Sequence, residues 1–339
     1  MTVNSVQKKI RVSLTGAAGF IGSHLAKRLS DHGYYINWAG DSFKPAYGGD
    51  WGMIRSDLLN PNIEIEEVNL TDITSNELSD RLGNSDVVIH LAAYPGVRQG
   101  EIKTEEYFYN NVISTNTILS ACEKSRVKLV FIASSSSIYG DRGLNLSCDE
   151  SIANPIDLKS NYSMTKYINE IQALRFSHKK SIPIVALRFF TVFGELGRPD
   201  MAYSKFTSLM INNKELEIYG KDGGVRSMTY IEDAVEIIHK LIQVFSENNF
   251  TKFIGLTSLN IASNNQPITA MRMVEILSNA LETQPKIVFS ERPNEDAVAT
   301  RASLSNLSSI IGEIPSTNID KALTNYAKWH KENIDLFDL

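Results

Sequence analysis

Eight consecutive residues, Thr15-Gly16-Ala17-Ala18-Gly19-Phe20-Ile21-Gly22, constrain this chain more than any other stretch. They stand between an apolar strand-like run at 10–15 and an amphipathic helical stretch at 21–31. In that setting Gly16 permits a tight turn, Gly19 lets backbone approach a ligand closely, and Gly22 allows close helix–strand packing. The helix start presents unpaired N–H groups and the positive end of the peptide dipoles to an anion. A lone glycine triplet also fits an ordinary tight turn. Strand, turn and helix in succession point to a cradle for the diphosphate of a dinucleotide.

The same alternation continues. Strand-like runs at 34–39, 87–92, 129–134 and 184–189 are separated by helical stretches at 75–82, 104–124 and 162–178. Short apolar strands alternating with helices predict parallel βαβ units covered on both faces. The expected fold class is α/β, a Rossmann-type doubly wound parallel sheet with a smaller, discontinuous α/β lobe. After Phe190 the pattern loosens into a loop at 194–201, a helix at 206–213, a short strand at 216–219 and a turn at 220–224. A periodic helix at 231–245, a strand at 254–262 and a helix at 268–281 follow. The expected division is a dinucleotide-binding domain of 1–189 plus about 226–262, and a lobe of about 190–225 plus 263–339.

A net charge of −5 and a pI near 5.8 leave no basic surplus to neutralise nucleic-acid phosphates or anionic lipid, so neither is an expected partner. The two cysteines, Cys122 and Cys148, are too few for a disulfide framework or a four-cysteine zinc site. The polar start lacks a leader-like apolar core, and no run of about 18 apolar residues occurs, so the expectation is a soluble, cytoplasmic protein. His24, His32, His90, His178, His239 and His330 lack metal-ligand spacing, and no metal is expected. His90, between apolar residues, reads as a satisfied core histidine.

Tyr162 and Lys166 stand at i and i+4, neighbours on one helix face. Alone, such a pair is commonly just an amphipathic helix surface. Beside a dinucleotide it gains a chemical use. An ammonium and a cationic nicotinamide ring both favour the phenolate, and moving its pKa down by about three units takes roughly 4 kcal/mol of differential interaction. The apolar run at 129–133 ends in Ser134-Ser135-Ser136-Ser137, where a hydroxyl can bond an oxygen losing its proton. A polar strand exit would look the same. Asp41, after the second strand, fits either a ribose-binding carboxylate that favours NAD or a solvated turn residue. Lys44 is available to a 2′-phosphate.

With these pieces together, the chain closely resembles the extended short-chain dehydrogenase/reductase family, in its nucleotide-sugar epimerase/dehydratase branch. The resemblance spans nearly the whole chain through TGAAGFIG (15–22), HLAA (90–93), ASSSSIYG (133–140), YSMTK (162–166), LRFFTVFG (187–194) and RSMTYIEDA (226–234). It implies NAD as cofactor, Tyr162 as acid/base, Lys166 as its electrostatic partner and ribose ligand, and Ser135 as the assisting hydroxyl. It implies a cofactor site of Gly16, Gly19, Phe20, Ile21, Gly22, Asp41, Asn69, Leu70, Leu91, Ala92 and Ala93, with Tyr162 and Lys166.

Within the branch, residues 187–202 and the Pro95-Gly96-Val97-Arg98 stretch look most like UDP-glucuronate 4-epimerases. The resemblance then implies a UDP-sugar partner, a substrate site of Ser135, Ser136, Thr191, Arg198, Tyr219, Arg226 and Arg292, and a homodimer formed through the helices at 104–124 and 162–178. Apolar residues there, such as Val112, Ile113 and Leu119, could equally face the sheet. Departures fall on the adenosine side and near the diphosphate: Ser227 and Asn69 stand where relatives carry Asp, and Pro95 where some carry a cofactor-binding lysine. Asp41 is one residue off the usual spacing. Competing readings are a 4-epimerase of UDP-glucose or UDP-N-acetylglucosamine, a decarboxylase or dehydratase of the same family, and a non-catalytic NAD-binding regulator. Ser136 and Ser137 occupy the acid/base positions that a 4,6-dehydratase needs.

Overall fold

The computed structural model describes residues 9–97, 104–142, 147–250, 254–294 and 296–337; residues 1–8 and Arg98 of the 95–98 stretch lie outside them. The chain begins β1 (Arg11–Thr15), α1 (Phe20–Asp31), β2 (Tyr35–Asp41), α2 (Trp51–Leu59), β3 (Glu66–Glu67), α3 (Ser75–Leu82) and β4 (Val87–His90). A long helix follows in three parts: α4 (Thr104–Tyr107), a π-helical turn (Phe108–Ile113) and α5 (Ser114–Lys124). Then come β5 (Leu129–Ser135), α6 (Asn161–Lys180), β6 (Ile184–Phe189), β7 (Thr191–Phe193), α7 (Ala202–Ile211) and β8 (Glu215–Tyr219). They are followed by β9 (Val225–Arg226), β10 (Met228–Tyr230), α8 (Ile231–Glu247) and β11 (Leu256–Ile261). The last stretch holds β12 (Ile268–Thr269), α9 (Ala270–Leu281), β13 (Lys286–Ser290), β14 (Ala299–Thr300), α10 (Ser305–Ile311) and α11 (Ile319–Glu332).

Seven strands form one parallel sheet in the order β11-β6-β5-β4-β1-β2-β3. This is the expected α/β doubly wound sheet. Its winding reverses between β1 and β4, which opens a crevice at the strands' carboxyl ends. Both faces are apolar because both are covered. Val12, Leu14, Ile89, Phe131 and Leu187 pack with Leu25 and Leu29 of α1 and Ile238 and Leu241 of α8. Val88, Val130, Ile132 and Ala186 pack on the other side with Leu78, Ile118, Leu119 and Ala173.

The lobe has its own core, in which Phe206, Met210, Leu216, Ile218, Leu277 and Tyr326 meet. Residues 304–311, within the stretch expected to belong to the lobe, pack instead on the main sheet. There Leu307 joins the core containing α8 and β11. Both cysteines are free and buried. Among the described residues no helix is long and apolar enough to cross a membrane. His90 is buried between the hydroxyls of Thr15 (2.7 Å) and Thr115 (3.1 Å). Burial and the nearby Lys166 charge hold its pKa down to about 3. Linear spacing did miss one cluster: His32, Glu236 and His239 converge with ligand atoms within 4.8 Å. The Arg28 guanidinium already donates to Glu236 there, at 2.8 Å.

Helix α6 is tied to the sheet by a buried ion pair. Arg188 of β6 donates from Nε and NH2 to the two carboxylate oxygens of Glu170, at 2.9 and 2.7 Å, with both side chains under a tenth exposed. Ser134 (2.5 Å) and Ser258 (3.1 Å) donate to the same carboxylate. Arg188 NH1 reaches the Tyr139 hydroxyl at 2.8 Å, which donates onward to Asn260 at 2.6 Å. Removing one partner strands the other charge in the core. Arg188→Met is therefore expected to cost on the order of 3–5 kcal/mol in denaturant unfolding. The Glu170→Gln/Arg188→Met pair should lose clearly less than the sum of the two single changes.

Candidate active site

The ends of β1, β2, β4, β5 and β6 open into one cavity of about 750 Å³ that continues into the lobe. The glycine loop forms part of its wall. Gly16 adopts φ 72°, and a Cβ on it would meet the Ala92 nitrogen at 2.7 Å. A Cβ on Gly22 would strike the Gly16 carbonyl at 1.9 Å, so the helix can start this close to the strand only with glycine. Helix α1 has Gly19 at its N-cap, no side-chain cap and no acidic residue in its first turn, which leaves its N–H groups to the cavity. Asp41 accepts from the Ala18 nitrogen at 3.0 Å and the Phe43 nitrogen at 2.8 Å, so it braces the loop. Gly16, Gly19, Phe20, Ile21, Gly22, Asp41, Asn69, Leu70, Leu91, Ala92 and Ala93 all line the cavity. An anionic dinucleotide fits this wall.

Helix α6 begins in a capping box, with Ser160 and Ser163 bonding each other's backbone N–H. That fixes Tyr162 in the first turn. Tyr162, Lys166 and Glu170 then fall on one helical stripe, so the ion pair that anchors the helix also aims the phenol and the ammonium. Lys166 Nζ donates to the Ala133 carbonyl at 3.0 Å and lies 5.7 Å from the centre of the Tyr162 ring. Ser135 hydrogen-bonds Tyr162.

Burial resolves the serine cluster. Ser134 turns into the core to bond Glu170, Ser135 faces Tyr162 and takes the Ser137 nitrogen at 3.1 Å, and Ser136 lines the cavity. Burial pushes the Tyr162 phenol up, opposed by the Ser135 hydrogen bond and the Arg198 charge. It pushes the Lys166 ammonium down to about 8.

Thr191, Arg198, Tyr219 and Arg226 line the same cavity. Arg198 is held by Asp200, at 2.6 and 3.0 Å, with its guanidinium 5.5 Å from the Tyr47 ring centre. Arg226 is fixed by the Ala297 (2.7 Å) and Val298 (3.2 Å) carbonyls. Arg292 stands beside this group, donating to the Tyr219 carbonyl at 3.3 Å, but is not among the residues that line the cavity.

The sequence profile of the NAD dependent epimerase/dehydratase family matches residues 12–254. The chain belongs to that family. It is 31% identical over 333 residues to UDP-glucuronate 4-epimerase 1 of Arabidopsis thaliana, covering 95% of this chain and 76% of that protein. It is 27% identical over 326 residues to a UDP-glucuronate 4-epimerase of Thermodesulfobacterium geofontis, covering 95% and 97%. The crystal structure of the Bacillus cereus UDP-glucuronic acid 4-epimerase, in complex with UDP-glucuronic acid and NAD, superposes with a TM-score of 0.85. That match has 27% identity and covers 96% of this chain and all of the other.

Two of this family member's departures have local explanations. Ser227 is buried and accepts from the Ala302 nitrogen at 3.1 Å, which locks the strand carrying Arg226. Asn69 is capped by Asp72 at 3.0 Å. One positioning residue was not anticipated. Asn111, buried in the π-helical turn, brackets the Tyr94 backbone at 2.7 and 3.1 Å and donates to Thr165 at 3.0 Å. It couples the loop after β4 to the turn between Tyr162 and Lys166. Its only sequence signal was an amide pair, Asn110-Asn111, set between Phe108-Tyr109 and Val112-Ile113.

The lowered Lys166 pKa makes a prediction for the cofactor-free chain. Below about pH 8 both folded and unfolded forms hold the proton and the folded form bears the desolvation penalty. Between that value and the ordinary 10.5 the unfolded chain binds the extra proton, so stability rises with pH. Thermal and denaturant unfolding should show a gain on the order of 3 kcal/mol across this window, absent in Lys166→Met.

Proposed function

We propose that this protein is an NAD-dependent nucleotide-sugar 4-epimerase that interconverts UDP-glucuronate and UDP-galacturonate through a 4-keto intermediate. The reading is carried by one constellation, Tyr162 with Ser135 and Lys166, in a cavity also lined by Ser136, Thr191 and Arg198. Gly16, Gly19, Phe20, Ile21, Gly22, Asp41, Leu91 and Ala92 would hold the cofactor, which when bound supplies a hydride acceptor and donor at its nicotinamide. Tyr162 takes the proton of the sugar 4-hydroxyl and later returns it. Ser135 bonds the oxygen that loses the proton. Lys166 steadies the phenolate by its charge.

Oxidation at C4 turns a hexuronate into a β-keto acid, which loses CO₂ when its carboxylate bond aligns with the ketone π system. Ser136 and Thr191 supply hydroxyls, and Arg198 a cation, to hold the carboxylate out of that alignment. The half-buried position of Arg198 near Tyr162 supports this role. Arg226, Tyr219 and Arg292 form the UDP end, where a guanidinium fork suits a diphosphate.

The expected assembly is a cytoplasmic homodimer. Val112 and Leu119 are buried, but Tyr109 (59% exposed) and Ile113 (47%) remain open. So do Ile171 (53%) and Leu174 (43%) on the adjacent α6. Four exposed large apolar side chains on neighbouring helices suit a helix-to-helix interface between two copies. Ile113→Glu/Ile171→Glu should run as a monomer in light scattering where the unaltered chain runs as a dimer.

The functional test is incubation with UDP-glucuronate, UDP-glucose and UDP-N-acetylglucosamine separately, read by NMR and mass spectrometry. UDP-galacturonate without CO₂ is the expected result; a UDP-pentose would replace epimerisation with decarboxylation, and turnover of only the neutral sugars would move the specificity. Tyr162→Phe should retain NAD and lose at least about 10³-fold in kcat. Near-normal turnover in that variant removes the proposed base.

A further inference from the structure

Arg55 on α2 is fully buried, yet the nitrogens at the end of its guanidinium have no hydrogen-bond partner among the described residues. Its Nε donates to the Leu196 carbonyl at 2.8 Å. Leu196 holds that carbonyl from a left-handed backbone, φ 55°, a conformation rarely adopted by a branched side chain. The guanidinium otherwise lies 5.7 Å from the ring centre of Tyr47 and 5.5 Å from that of Trp51. Aromatic faces offset only part of the desolvation of a charge with two unpaired donor groups. Such a group in a folded protein calls for a partner of opposite charge.

Its surroundings say where that partner comes from. Arg55 lines the same cavity as the glycine loop. Asp41, whose ionised form Arg55 favours, is itself bonded to the Ala18 and Phe43 nitrogens and does not close the fork. The other guanidinium there, Arg198, is paired with Asp200 and lies toward Tyr162 at the far end of the cavity. Tyr47 touches both arginines, Arg55 toward Asp41 and Arg198 toward Tyr162. A dinucleotide with its adenine ribose at Asp41 and its reactive ring at Tyr162 has only one anionic group between those ends, the diphosphate.

We propose that Arg55 is a diphosphate ligand of the dinucleotide, closing from α2 onto the anion that the start of α1 holds from the other side. The fork meets phosphate oxygens bidentately, and Leu196 and Tyr47 keep it pre-aimed. This role of Arg55 rests on the dinucleotide reading alone and is independent of which sugar is turned over.

The test is calorimetric binding of NAD, ADP, adenosine and UDP to the cofactor-stripped full chain. Arg55→Met is expected to weaken NAD and ADP by about 10–100-fold, the range for a hydrogen bond to a charged group. Adenosine and UDP should change less than about twofold, and Arg55→Lys should recover part of the ADP affinity. Equal losses for ADP and adenosine, or none for ADP, overturn the assignment. If the unaltered chain binds neither NAD nor ADP, the dinucleotide reading itself falls. Should Arg55→Met fail to fold, a crystal structure of the unaltered chain with ADP decides. A guanidinium nitrogen within hydrogen-bond reach of a phosphate oxygen sustains the proposal, and one left on Tyr47 and Trp51 ends it.

Discussion

The ion pair between Arg188 and Glu170 is what the rest of the site leans on. Glu170 sits two helical turns along from Tyr162 on the same stripe of α6, and Arg188 stands near the carboxyl end of β6, one strand in from the β11 edge of the sheet. A helix that carries both a phenol and an ammonium into a low-dielectric crevice must resist rotating them back to water. Hydrophobic packing on one face does not forbid a small rotation; a bidentate fork with two further serine donors does. The orientation of Tyr162 therefore comes from a pair that does not itself line the cavity. The cost is a core that tolerates loss of neither partner alone.

How much of this was legible depends on how local each signal is. The glycine loop could be read because its three constraints, turn, close approach and packing, act within eight residues and one βαβ unit. Tyr162 and Lys166 could be paired because helical period alone puts them side by side. Which of four consecutive serines meets the phenol came from the family resemblance, which named Ser135; the residue pattern alone does not choose it, since the choice depends on Ser134 being claimed by Glu170 36 residues away. Arg55 stayed hidden for a related reason. The segment Trp51–Leu59 holds a glycine, an aspartate and a serine with little apolar periodicity, and it becomes a helix through packing on α1. Asn111 was invisible because its value lies in bracketing the Tyr94 backbone. The convergence of His32 with His239 joins α1 to α8, which no motif spacing encodes.

The electrostatics of the pair run against a simple view of an ammonium activating a phenol. Burial drives Tyr162 up and Lys166 down, so desolvation disfavours the charged form of each. At neutral pH the phenol therefore stays protonated, while Lys166, held down to about 8, still keeps most of its charge. A bound dinucleotide brings anionic phosphates near the start of α1 and a cationic ring at the far end, and the cationic end is the one that favours the phenolate. Activation of Tyr162 is on this view conditional on a filled site, and the chain in its empty state holds a protonated phenol. Such conditionality suits a reaction with no net redox change. A base that becomes competent only beside its hydride acceptor cannot strip a proton from a sugar without somewhere to send the hydride.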